Sequence, residues 1–207
     1  YAPYLRQTGL DHPGRDEIIA AHDAEWQSVA KALVGPPPGG ASVFYQKHMT
    51  HHLLPAIDRD WLDKVVHAFL IRDPAEVLAS YSKVRADVTL DDLGLEQQVA
   101  IFEHVRGQRD GIPPVLDAAD VLMDPERSLS LLCEAVGLDF QPAMLTWPAG
   151  PRDSDGVWAK HWYASVEAST GFKPYTSATD SLPGQLEALA KVCAPDYDRL
   201  YEHRLGR

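Results

Sequence analysis

Arg72 and Ser80 are the two residues whose types and spacing speak most directly to chemistry. A guanidinium forks onto phosphate oxygens, and a hydroxyl eight residues later adds a neutral donor. The same residues also permit an ordinary arrangement, with Arg72 paired to a carboxylate at a sheet edge and Ser80 on a helix surface. Val65, Val66, Phe69, Leu70 and Ile71 form a near-continuous apolar run, the pattern of a strand covered on both faces in a parallel sheet. Arg72 falls where the run ends. Asp73 suits an N-cap, Pro74 suits the first helical position, and Glu76 completes an acidic variant of the capping box. Glu76 and Ser80, four apart, share a helix face. Ligands of open α/β sheets bind outside the carboxyl ends of the strands, and Arg72 stands at such an end.

A second group, Lys47, His48, Met49, Thr50, His51 and His52, follows a short expected strand at 42–46, SVFYQ. Imidazole titrates near neutrality and suits general-base work, and a strand-end lysine faces the ligand crevice. A histidine-rich surface loop is the alternative. A third group lies late in the chain: Trp158, Lys160, His161, Trp162 and Tyr163, then Ser169, Thr170, Gly171, Phe172 and Lys173. Glycine permits close backbone approach and Lys173 supplies charge. The aromatics can stack on a planar ligand or fill the core.

The elements that must hold these groups alternate between strand and helix. Residues 1–10 read as loop or short helix, 15–34 as a helix, 35–40 (GPPPGG) as a linker, and 55–62 as a short helix. After the strand at 65–71 and the helix from Pro74 come a long helix at 90–109 and a strand starting near Pro114. A helix capped by Asp124 and closed by Gly137 follows. The stretch 157–170 is amphipathic, and 182–191 and 195–205 read as two terminal helices. This order implies βαβ units and a parallel sheet.

A chain of 207 residues fits one domain, with room for a small helical cap. The net charge of −11 argues against a general nucleic-acid binder. Despite nine histidines, no HExxH or Cys/His spacing marks a metal site. Cys133 and Cys193 read as buried free thiols, which points to a reducing, cytoplasmic setting. No apolar run reaches transmembrane length and no signal peptide is visible, so no membrane partner is expected.

The segment R-x-P-x-x-x-x-x-S after an apolar strand resembles the 3'-phosphate-binding segment of sulfotransferases that use 3'-phosphoadenosine 5'-phosphosulfate (PAPS). The stretch PPVLDAADVLMDPERSLSLLCEAVGLDFQPAMLTW is similar to a later part of that family. It departs at Asp117-Ala118-Ala119-Asp120, where the family has a Y-E-D-L-like turn. The opening YAPYL looks like the tail of an E-P-F-Y-A-x-Y-L segment that follows the family's phosphate-binding loop. The resemblance therefore implies a single sulfotransferase-like domain over 1–207, missing its first strand and loop, with an α/β, P-loop-like three-layer fold. It implies PAPS as co-substrate, no metal, and a small-molecule hydroxyl or amine acceptor; homodimer formation is left open. Arg72 and Ser80 correspond to the 3'-phosphate ligands. Thr170-Gly171-Phe172-Lys173 looks like a reduced form of the loop that closes over the nucleotide. Lys47 matches the lysine of a K-x-H-like segment whose histidine is the base. No histidine stands two places after it, so His48 and His51 both remain candidates, as does a glutamate upstream of the chain. The rivals are a nucleotide or small-molecule kinase of related topology and a non-catalytic nucleotide-binding remnant.

Overall fold

The computed structural model describes residues 1–82, 88–108, 111–177 and 182–207. In chain order its helices and strands are α1 (Ala2–Thr8), α2 (Arg15–Ala21), α3 (Trp26–Leu33), β1 (Phe69–Ile71), α4 (Pro74–Tyr81), α5 (Leu90–Leu93) and α6 (Leu95–Gln108). Then come β2 (Val115–Asp117), α7 (Ala118–Met123), α8 (Pro125–Val136), α9 (Ala159–Trp162), α10 (Ala164–Glu167) and α11 (Gly184–Tyr201). The chain divides into two compact units, Tyr1–Val65 with Trp147–Thr170, and Val66–Thr146 with Gly171–Arg207.

The second unit holds the sheet. β1 and β2 pair in parallel, with Phe69 opposite Val115, Leu70 opposite Leu116 and Ile71 opposite Asp117. On its other side, Val115 bridges Arg204 in parallel and accepts a hydrogen bond from the Leu205 N–H at 2.8 Å. The ladder cannot extend below Phe69 because its partner there is Pro114, preceded by Pro113; neither has an N–H to give. The expected strand at 65–71 is therefore three residues long, and it is not covered on both faces. Val66 and Leu70 are 64% and 59% exposed, whereas Phe69 and Ile71 are buried.

The expected strand at 42–46 does not form. Strands need a partner for their N–H and C=O groups and a buried face for their side chains. Here Val43, Phe44 and Tyr45 are all exposed, and the segment joins no ladder among the described residues. The mainly parallel, three-layer sheet expected from the sequence is thus represented by a parallel pair.

α11 packs on α4, α6 and both strands. Cys193 and Leu200 are its buried anchors, seven residues apart on one face, and each fully buried Leu is worth about 1.5–3 kcal/mol. Phe102 of α6 is fully buried, edge-on to Phe69 at 5.4 Å and stacked on His203 at 5.2 Å. The two terminal helices expected from the sequence are one, continuous through Pro195. Proline removes the hydrogen bond to the Lys191 carbonyl, but both residues face solvent, where water replaces it. Cys133 and Cys193 are buried free thiols.

The first unit is helical. Ala2, Leu5 and Ile18 form its core, with Tyr1, Tyr4, Val157 and Trp158 packed against them. The expected helix at 15–34 is interrupted because the Asp23 carboxylate accepts the Glu25 N–H at 2.9 Å, a local turn that competes with helix continuation. Likewise Gly94, at φ 64°, separates α5 from α6, and the amphipathic stretch 157–170 yields two short helices. All five tryptophans, Trp26, Trp61, Trp147, Trp158 and Trp162, belong to this unit. Among the described residues no helix is long and apolar enough to cross a membrane.

Candidate functional site

The carboxyl end of β1 leads without a spacer into α4. The Asp73 carboxylate accepts from the Ala75 and Glu76 N–H groups at 2.7 and 3.4 Å, and Pro74 occupies the first turn, as the sequence predicts. This cap fixes Arg72 at the strand end and starts the helix directly above it. Glu76 does not complete a capping box. Its carboxylate points instead to Arg72, whose Nε donates to Oε2 at 3.0 Å, and to Tyr175, whose hydroxyl donates to Oε1 at 2.6 Å. Glu76 is only 3% exposed, so these two donors stabilise an otherwise costly buried charge.

Arg72 keeps 41% of its side chain exposed. Its Nε edge is used by Glu76, so the opposite edge, built from the two terminal nitrogens, is the one available to an anion. Ser80 is exposed, one turn beyond Glu76 on the same face of α4. The sheet-edge ion pair allowed by the sequence is thus present, and an open guanidinium edge remains beside it.

Gly171 and Lys173 enter the same unit from the late loop. Gly171 makes an antiparallel bridge to Thr146, and a Cβ added to it would lie 3.3 Å from the Leu145 carbonyl oxygen. Lys173 and Tyr175 line an open hollow of about 570 Å³ with Leu122 and Met123 of α7. The Tyr175–Glu76 bond ties this loop to α4. Arg72, Glu76 and Tyr175 are therefore connected through one hydrogen-bonded chain, and Tyr175 stands two residues after Lys173. Of the residues the sequence singles out, Lys173 lines this hollow and Arg72, Ser80 and Gly171 do not; Tyr175, which lies 99 residues from its partner, was missed.

The end of β2 carries a second polar pair. Asp117 is 3% exposed; it caps α7 through the Ala119 and Asp120 N–H groups and accepts from the Tyr197 hydroxyl at 2.9 Å. Burial pushes its carboxyl above the usual aspartate range, partly opposed by the Tyr197 bond. Burial and the same bond push the Tyr197 phenol well up.

Lys47, His48 and His51 fall in the first unit. The strand expected to present them is absent, so adjacent parallel strands do not carry Lys47 and Arg72 to one sheet edge. An unpaired extended segment holds them instead, anchored where Gln46 Nε2 donates to the Leu33 carbonyl at 2.7 Å. Lys47 is exposed. His48 Nε2 lies 3.2 Å from Gln46 Oε1, which can only accept, so Nε2 donates and Nδ1 is left as the basic nitrogen. His48 is exposed; partial desolvation, then the charge of the N-terminal amine, lowers its pKa from the usual histidine value. His51 sits on a single 3-10 turn, edge-on to His52 at 4.4 Å and facing Tyr4 at 5.8 Å. His52 stacks on Tyr1 at 4.7 Å, and burial beside His51 depresses its pKa to about 3. Trp158 is committed to the core of this unit, and Trp162 is 46% exposed.

The family model of the sulfotransferase domain matches residues 1–198. The chain belongs to the sulfotransferase family. Two Arabidopsis thaliana proteins are similar to this sulfotransferase-family chain across 98% of its length, at 32% and 35% identity. They are named branched-chain-amino-acid aminotransferase-like proteins 2 and 1. The chain spans 36% of the length of each. No solved structure matches.

Proposed function

We propose that this chain supplies the nucleotide-binding and acceptor-activating residues of a PAPS-dependent sulfotransferase acting on a hydroxyl or amine. The reading rests on one observation above others. In a sulfotransferase-family sequence, a parallel strand delivers Arg72 with an open guanidinium edge to the foot of a capped helix that carries Ser80. Arg72 and Ser80 would hold the 3'-phosphate, with Lys173 adding charge and Gly171 allowing the backbone close. In the reaction, the bond between sulfur and the bridging phosphate oxygen breaks and adenosine 3',5'-bisphosphate leaves. A new sulfur–oxygen or sulfur–nitrogen bond forms to the acceptor, and the acceptor's proton passes to the base, His48 or His51. Lys47 would offset charge on the sulfuryl oxygens. Two buried free thiols accord with a cytoplasmic location.

Differential scanning fluorimetry with adenosine 3',5'-bisphosphate, against ATP with magnesium, tests this directly. A ligand at a hundred times its Kd stabilises by about 2.7 kcal/mol, a clear shift in melting temperature. Stabilisation by the bisphosphate alone is expected. Stabilisation by magnesium-ATP with no response to the bisphosphate would turn the reading toward phosphoryl transfer.

A further inference from the structure

We propose that Glu76 and Tyr175 form a positioning relay that couples docking of the Gly171–Tyr175 loop to the orientation of Arg72, and so to recognition of the nucleotide's 3'-phosphate. The proposal rests on the reading of Arg72 as the 3'-phosphate ligand. Glu76 is a buried carboxylate with two donors, one at the end of β1 and one from the late loop. Arg72 Nε reaches one oxygen at 3.0 Å and the Tyr175 hydroxyl reaches the other at 2.6 Å. Asp73 is engaged by backbone N–H groups of its own helix, which leaves Glu76 as the carboxylate that orients Arg72.

The chemistry makes this arrangement directional. A carboxylate accepts from both neighbours at once, whereas a glutamine offers one acceptor and one donor. Glu76→Gln can still accept from Arg72 Nε–H through its oxygen and can donate its NH2 to the Tyr175 hydroxyl oxygen, but it removes the negative charge, so both contacts become neutral and weaker. When the Tyr175 contact is made, the loop bearing Lys173 is held against α4, which carries Glu76 and follows directly on Arg72. When it is broken, the guanidinium loses a fixed neighbour and the loop loses its anchor. Because the carboxylate grips Nε, the two terminal nitrogens keep one heading, and a phosphate arriving there meets a preset fork.

Affinities of the whole chain for adenosine 3',5'-bisphosphate and for adenosine 5'-monophosphate, which lacks the 3'-phosphate, separate this role from a general structural one. Glu76→Gln is expected to weaken bisphosphate binding about tenfold or more, the low end for a charged hydrogen bond, and to leave the monophosphate within about twofold. Tyr175→Phe is the milder variant and should weaken bisphosphate binding about threefold to tenfold, with faster amide exchange at 171–177. In an Arg72→Ala background neither substitution should add a further loss, because the relay acts only through that side chain. Equal loss of both nucleotides, or additive losses with Arg72→Ala, would overturn the relay. Wild-type affinity in both Glu76→Gln and Tyr175→Phe, with Arg72→Ala impaired, would also overturn it while leaving the phosphate reading intact. Wild-type affinity in Arg72→Ala would overturn that reading and the relay with it. If Glu76→Gln does not fold, the Tyr175→Phe measurements decide.

Discussion

Removing the Tyr197 hydroxyl isolates a single buried bond. Tyr197→Phe keeps the ring and its stacking on Tyr201 at 5.3 Å, but takes away the donor 2.9 Å from Asp117 Oδ2. Asp117 is 3% exposed, so water has little access to replace the donor. A hydrogen bond to a charged acceptor contributes about 1.5–3 kcal/mol, and the stability loss at neutral pH should fall in that range. For a chain of this size that corresponds to about 3–12 °C in Tm. The effect should also depend on pH, with a definite sign. Burial raises the folded-state pKa of Asp117 above its unfolded value. The contribution of this titration to stability is therefore fully present below the unfolded pKa and lost as pH rises through the folded one. Tyr197 limits that loss by favouring the ionised carboxylate, so Tyr197→Phe should hurt most above the raised pKa. As pH falls through it the carboxyl becomes neutral, and the difference should shrink toward the ~0.5–1.5 kcal/mol of a neutral bond. Thermal unfolding followed by far-UV circular dichroism, at several pH values from 8 toward 4, gives both numbers on one pair of proteins. A neutral-pH difference within about 0.5 kcal/mol, the range of an inert surface substitution, would refute the reasoning; so would a difference that does not change with pH.

Three further outcomes are expected. Arg72→Ala should cost about 1.5–3 kcal/mol of affinity for adenosine 3',5'-bisphosphate by isothermal calorimetry. Of His48→Ala and His51→Ala, the one that removes the base should lower turnover by at least about a hundredfold, assayed with radiolabelled PAPS and a panel of alcohols and amines in a protein extending upstream of Tyr1; retention of turnover by both would place the base elsewhere. His52, with a folded pKa of about 3, should stay neutral from pH 8 to pH 5 in an NMR titration. Its share of stability is present above the unfolded pKa of about 6.5 and is lost as pH falls toward 3, so His52→Phe should flatten the acid side of the stability profile.

What could be read from the sequence was mostly what neighbours in the chain decide. The Asp73-Pro74 start of α4, the Asp124 cap and the Gly137 stop of α8, at φ 74°, are local signals, and each is met. The parallel pairing of the strands ending at Ile71 and Asp117 follows from apolar runs separated by helices. The misses have non-local or competing causes. The segment 42–46 has strand-forming residues but no partner. The helix at 15–34 carried an Asp whose own turn interrupts it. Pro195 signalled a break that solvent exposure makes tolerable. At the site, Glu76 was visible as a helix-start residue, yet its partner Tyr175 comes from a distant loop, and no short-range pattern connects them. An acid four residues after a strand-end arginine was the available hint.

The confinement of every tryptophan to the Tyr1–Val65 and Trp147–Thr170 unit makes the protein its own optical label. Indole emission follows that unit alone, while backbone ellipticity sums the helices of both units, the long helix α11 of the second among them. Melting curves recorded through the two signals therefore count cooperative blocks without any introduced probe. Superimposable curves would mean that the chain unfolds as one thermodynamic body. Separated midpoints would mean that the histidine-bearing and arginine-bearing halves hold their structure independently, and each could then be titrated with ligand by its own colour.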